Sequence, residues 1–278
     1  MRLLGPLFAK FCDAASWAGA IKGAGYAAAN LPFDRNTPDH QVAAYLEIAA
    51  RQDIMIAEVG AWSNPIDPDP LKAAQAIVNC QENLAWAERI GAKCCVNIAG
   101  SRNPKKWDGP HADNFSSDTF DLIVETTRKI IDAVKPRRAF YTLETMPWIF
   151  PSSPDEYLAL LRAIDRPAFG VHLDPVNMIN CPERAYRTGD FLRECFAKLG
   201  PFIRGCHAKD IILRDSLTLH LDECQPGLGI LDYGVFLREL SKLDGEIPLV
   251  LEHLKTEEEY SAAAAHVRKV AVREGLVL

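Results

Sequence analysis

The chain has 278 residues, 48% of them hydrophobic and 24% charged, and a formal net charge of −6. That balance belongs to a globular protein able to bury a large core, and it excludes disorder. No run of five or six like charges occurs, so the basic footprint of a nucleic-acid-binding protein is missing and a small or neutral substrate is expected.

The eight cysteines show no CxxC pair, which reads as reduced thiols in a cytoplasmic protein. At the start, the apolar stretch Leu3 to Phe8 is broken by Gly5 and Pro6. It falls short of the roughly 7–15 residues of a signal-peptide core, so a first strand is expected there. No apolar run approaches the roughly 18 residues that a membrane span requires.

Along the chain, short apolar runs alternate with segments of helical period, the rhythm of βα units around a parallel sheet. Strands are expected near 3–8, 25–29, 54–60, 93–98, 138–144, 168–174, 202–207 and 247–252. Between them, Pro38–Asp39 opens a helix near 39–52. The stripe Ile77, Cys80, Leu84, Ala87 and Ile90 predicts another helix, and Phe120, Ile123, Thr127, Ile130 and Val134 a third. Ser153 or Asp155 starts a helix near 155–164, and Tyr260, Ala264, Val267 and Ala271 mark the last. Eight such units with no linker predict a single-domain α/β protein, a (β/α)₈ TIM barrel over residues 1–278. The longest irregular stretches, 100–116 and 208–231, follow the fourth and seventh strands and are expected at the catalytic mouth.

Four of the expected strands end in a metal-ligand residue: AFYTLE at Glu144, AFGVHLD at Asp174, IRGCH at His207 and IPLVLE at Glu252. Side chains alternate along a strand, so Phe169, Val171 and Leu173 face the helices while His172 and Asp174 face inward. The same alternation turns Glu144 and Glu252 inward. Three carboxylates meeting at a barrel mouth repel one another unless a cation neutralises them. With one imidazole, the mostly oxygen donor set suits one divalent cation: Mn²⁺, Mg²⁺ or Co²⁺, with Zn²⁺ also served by the histidine.

The segments LETMP, GVHLDPVNM, HAKD and LEH, with PGLGILDYGVFLREL at 226–240, resemble the xylose isomerase-like barrels. That superfamily holds sugar isomerases, ketose 3-epimerases, inosose dehydratase and endonuclease IV. AEVGAWSNP resembles the third-strand end of related barrels. The resemblance implies that Glu144, Asp174, His207 and Glu252 bind the metal, Mn²⁺ foremost. It also implies that Glu144 and Glu252 act as a base and acid pair on a carbohydrate substrate through an enediolate. A homo-oligomer, dimer or tetramer, is implied by the same analogy, with no nucleic-acid or membrane partner.

Lys209, two residues past His207, is a candidate for stabilising negative charge, and His172 lies one layer below Asp174. Asn177 stands where the ketose 3-epimerases carry a substrate-contacting histidine and Phe150 where they carry a glutamate, so their particular substrate is not implied. Trp62, Trp107 and Trp148 on mouth loops are candidates for stacking on a sugar ring. Asn97, Arg102 and Arg214 complete the candidate pocket residues. Three other functions compete: a lyase or dehydratase sharing the first proton removal, an abasic-site nuclease, and a non-catalytic sugar-binding barrel. The nuclease requires histidines on earlier strands, and AEVGAW and VNIAG supply none.

Overall fold

The computed structural model describes residues 1–243 and 246–278. Its strands are β1 (Arg2–Leu4), β2 (Ala28–Ala29), β3 (Met55–Ile56), β4 (Glu58–Gly60), β5 (Cys94–Asn97), β6 (Phe140–Glu144), β7 (Phe169–Leu173), β8 (Ile203–Ala208), β9 (Asp210–Arg214), β10 (His220–Cys224) and β11 (Pro248–Leu251). Seven form one parallel sheet in the order β1-β11-β8-β7-β6-β5-β4. The ring continues through Ala57, which separates β3 from β4. Its N–H donates to Ala29 O at 3.0 Å and its carbonyl accepts from Lys93 N at 3.0 Å. The third barrel strand therefore pairs with β2 in its first half and with β5 in its second. Ala27 N donates to Leu3 O at 3.2 Å and carries the ring back to β1. The fold is the expected (β/α)₈ barrel.

The helices cover this ring with the faces the sequence assigns to them. Ile77, Cys80, Leu84, Ala87 and Ile90 are all buried on the helix Pro70–Ile90, and Tyr260, Ala264, Val267 and Ala271 on Glu257–Arg273. The helix near 155 begins at Pro154, capped by Ser153, whose side chain accepts from Glu156 N. From that helix the buried Tyr157 hydroxyl donates to Gly170 O at 3.1 Å and accepts from Leu143 N at 3.2 Å. One side chain of the helical layer thus ties β6 to β7. No helix among the described residues is long and apolar enough to cross a membrane.

Two expectations need correction. The first two strands are shorter than 3–8 and 25–29, ending or beginning where Gly5–Pro6 and Gly25 (φ +72°) interrupt extended pairing. The stretch 208–231 is also not irregular throughout, because β9 and β10 form an antiparallel hairpin above the barrel, pairing Asp210 with Cys224 through Arg214 with His220.

The return from this hairpin is organised by one buried carboxylate. Asp210 accepts from the backbone N–H groups of Ile211, Gly227, Gly229 and Leu231 at 2.9–3.0 Å. A Cβ on Gly229 would lie 2.3 Å from Asp210 Oδ1 and 2.4 Å from Ile211 O, so only glycine lets the loop close on the acid. Replacing Asp210 by Ala leaves several of these donors without an acceptor. Urea unfolding of Asp210→Ala is expected to show a loss of about 3 kcal/mol.

Candidate functional site

The strand ends deliver their polar residues to one place because the parallel register is tight. Glu144 lies opposite His172 in the β6–β7 pair, and His207 opposite Val250 in the β8–β11 pair. Glu144, Asp174, His207 and Glu252 each present a ligand atom, and these atoms lie within 4.8 Å of one another. His207 Nδ1 is 3.2 Å from Glu144 Oε1, 3.6 Å from Asp174 Oδ2 and 2.8 Å from Glu252 Oε1. Donors each about 2.1 Å from a shared ion, in tetrahedral or octahedral array, stand about 3.0–3.4 Å apart, so the set fits a divalent cation. The atoms facing the centre support the same fit: His207 Nδ1, Asp174 Oδ2 and Glu252 Oε1 are buried and make no hydrogen bond.

Surrounding contacts aim these donors. The Asp174 side chain divides its work, with Oδ1 accepting from Asn177 N at 3.2 Å as the cap of the short helix Pro175–Met178 while Oδ2 faces the cluster. Asn177 Nδ2 donates to Glu144 Oε1 at 3.1 Å and to Thr145 O at 3.0 Å. Beneath, the His172 ring lies edge-on to His207, with centroids 4.2 Å apart, and its Nε2 is 2.8 Å from Glu58 Oε2. A Cβ at position 205 would come within 2.9 Å of His172 Nε2, so Gly205 makes room for that ring.

Lys209 is the sole lysine fully buried among the described residues. Its Nζ stands 2.7 Å from both Asp174 Oδ2 and Glu252 Oε1 and 3.6 Å from Glu144 Oε1 and Glu223 Oε2. The two contacts at 2.7 Å are close ion pairs with the buried ammonium. Burial alone would push the Asp174 carboxyl up, but Lys209 and His207 hold it well below the usual range. Glu252 is likewise drawn down, to about 2, by His207 and then Lys209 against its burial. Burial disfavours the charged forms of His207 and Lys209, yet the facing carboxylates raise both. The centre is a buried cluster of charged groups whose donors could hold a metal ion.

Above the cluster lies a cavity of about 770 Å³. Glu144, Glu252, Lys209, Asn177, Trp62, Trp107 and Trp148 all line it, as the sequence suggests. Asp174 and His207 are closed off below, 0% and 1% exposed. Four candidates lie outside the lining. His172 is enclosed with Glu58; Asn97 is buried and donates to Ser63 O and Cys80 Sγ; Arg102 donates to Ile66 O; and Arg214 pairs with Asp222 at 2.8 Å on the exposed hairpin. Phe150 packs edge-on against Phe115 and Phe120.

Three polar residues escaped the sequence reading. Glu58 is legible as the alternate position of a strand end in AEVGAW. Glu223 arrives only through the β9–β10 pairing. His253 sits in the left-handed region (φ +59°) and holds Nδ1 3.1 Å from the Glu223 carboxylate. Nothing local in the sequence announces that conformation.

Known proteins place this architecture. The chain is similar in structure to endonuclease IV from Thermus thermophilus, with a TM-score of 0.73, 14% identity, 98% of this chain and 100% of that chain covered. It is similar to the probable 3-DHS dehydratase AsbF from Bacillus anthracis, with a TM-score of 0.70 and 16% identity over 94% of each chain. It is also similar to D-psicose 3-epimerase from Clostridium cellulolyticum, with a TM-score of 0.67, 16% identity, 97% of this chain and 99% of that chain covered. At these identities the likeness is one of fold. No curated protein matches the sequence. A family model described as xylose isomerase-like TIM barrel matches residues 18–270, and the chain belongs to that family.

Proposed function

We propose that this barrel is a divalent-metal-dependent sugar isomerase or epimerase that moves a proton beside a carbonyl, with Glu144 and Glu252 as the acid and base pair. One observation carries the reading: of the four clustered donors, Glu144 and Glu252 alone open onto the cavity, while Asp174 and His207 are sealed beneath it. A cation held by all four, Mn²⁺ foremost and Mg²⁺, Co²⁺ or Zn²⁺ served by the same donors, supplies Lewis-acid polarisation of the substrate carbonyl and its neighbouring hydroxyl.

The chain's own groups do the rest. Glu144 and Glu252 each turn Oε1 toward His207 and Lys209, and Oε2 is the atom this reading assigns to proton transfer. One removes a proton from the carbon beside the carbonyl, and the other returns a proton to that carbon from the opposite face or to its neighbour. The Lys209 ammonium, fixed by the same carboxylates, stands against the negative charge that develops on oxygen. Asn177, bonded to Glu144, orients that glutamate.

A lyase or dehydratase reading shares the first proton removal and is favoured by one feature. On that reading His253, held by Glu223 in the cavity wall, serves as a further proton donor to a leaving hydroxyl. The nuclease reading lacks support here, because the third and fourth strand ends carry Glu58 and Asn97, both engaged in buried contacts.

In D₂O with ketoses and Mn²⁺, the protein is expected to wash deuterium into a carbon position while conserving mass otherwise. An unsaturated or dioxo product would instead establish the lyase, and cleavage of abasic-site DNA would overturn both. Glu144→Gln and Glu252→Gln are each expected to lower turnover by about 10²–10⁴-fold. Metal binding has its own readout. Mn²⁺ at about 100 times its Kd is expected to stabilise the fold by about 2.7 kcal/mol in thermal or urea unfolding. That gain should vanish in Asp174→Asn and His207→Gln and persist in Glu58→Gln.

A further inference from the structure

A second group of metal-donor side chains lies one layer deeper in the barrel. Glu58, Cys94 and His172 each present a ligand atom, these atoms stand within 4.8 Å of one another, and all three residues are buried. Strand pairing makes the group. Glu58 lies opposite Cys94 in the β4–β5 pair, so the two side chains point into the barrel together. His172 joins them from β7, two residues before Asp174, with Nε2 2.8 Å from Glu58 Oε2. Gly205 keeps the space between them open, since a Cβ there would come within 2.9 Å of His172 Nε2 and 3.7 Å of Cys94 Sγ.

The donor chemistry differs from that of the cluster at the mouth. A thiolate, an imidazole and one carboxylate suit Zn²⁺ or Co²⁺, whereas Mn²⁺ and Mg²⁺ favour a set made mostly of oxygen. Three protein donors leave a fourth position. Glu58 lines a cavity of about 450 Å³, which gives an ion a path inward and a water ligand room to complete the shell.

Two of the donors are left incompletely used without an ion. Burial and then the Glu58 charge push the Cys94 thiol up, while the Thr142 side chain favours its charged form; an ion bonding to Sγ displaces the thiol proton to solvent. His172 Nδ1 is buried and has no hydrogen-bond partner. The ring proton therefore moves to Nδ1 without breaking a bond there, and Nε2 exchanges one contact with Glu58 for a shared ion. The charges also balance. With both histidines neutral, Glu144, Asp174, Glu252, Glu58 and the Cys94 thiolate carry five negative charges, and Lys209 with two dications carries five positive ones.

We propose that Glu58, Cys94 and His172 hold a second divalent ion, Zn²⁺ foremost, which fixes the His172 ring against which His207 packs. The site is separate from the four-donor cluster and stands apart from the sugar reading, because metal content is read without turnover.

The test is metal counting on protein stripped with a chelator, reloaded with Zn²⁺ or Co²⁺ alone and freed of excess ion. About two ions per chain are expected by elemental mass spectrometry. The Co²⁺ form should show a thiolate-to-metal charge-transfer band in the near ultraviolet, which the carboxylates and imidazole of the mouth cluster do not give. Asp174→Asn combined with His207→Gln should take up one ion and keep the band, whereas Cys94→Ala should keep one ion and lose it. Glu58→Gln, a near-isosteric change that guards against a packing defect in Cys94→Ala, should likewise lower the count to one. Absence of the band from the unaltered protein at any ion count, or a band that survives Cys94→Ala, would overturn the proposal. One ion per chain with the band present would instead support this site and sink the four-donor one.

Discussion

The mouth of this barrel is governed by negative charge brought together on purpose by strand geometry. Glu144, Asp174 and Glu252 converge around His207, where like charges repel one another. The single ammonium of Lys209 reaches all three, which leaves the centre still anionic. Everything around it follows from that burden: the cap that steadies Asp174, the amide of Asn177 against Glu144, and the His172–Glu58 pair packed under His207. Carboxylates so held are preorganised, and their reorganisation cost has been met in folding.

Much of this was legible because barrel strands are buried on both faces and end abruptly at polar residues. AFYTLE, AFGVHLD, IRGCH and IPLVLE announce both the strand and its terminal polar residue, and the structure brings all four of those side chains to one point. Helices with strong apolar stripes were equally clear. The β2 and β1 boundaries were not, because two or three paired residues flanked by Gly and Pro carry too short a period to locate.

The site's periphery was harder to read for a different reason. Arg102 and Arg214 have the side chains of a ligand pocket, but local carbonyl and carboxylate partners claim them. Asn97, at a strand end one would assign to the mouth, turns instead to Ser63 and Cys80. Conversely, Glu223 enters the cavity only because β9 and β10 pair in a register that alternation across a two-stranded ribbon sets. Such contacts depend on distances between elements, which a one-dimensional pattern does not encode.

The hydroxyl of Tyr157 gives the helical shell a hold on the chemistry. It bridges the strands that end in Glu144 and Asp174, so its length and hydrogen-bond reach act as a spacer between two donors it never touches. If the cluster holds the cation proposed above, its preference for ionic radius would be open to tuning from the helical layer. Repacking the helix around Tyr157 would then shift the donor spacing with all four donor side chains left in place.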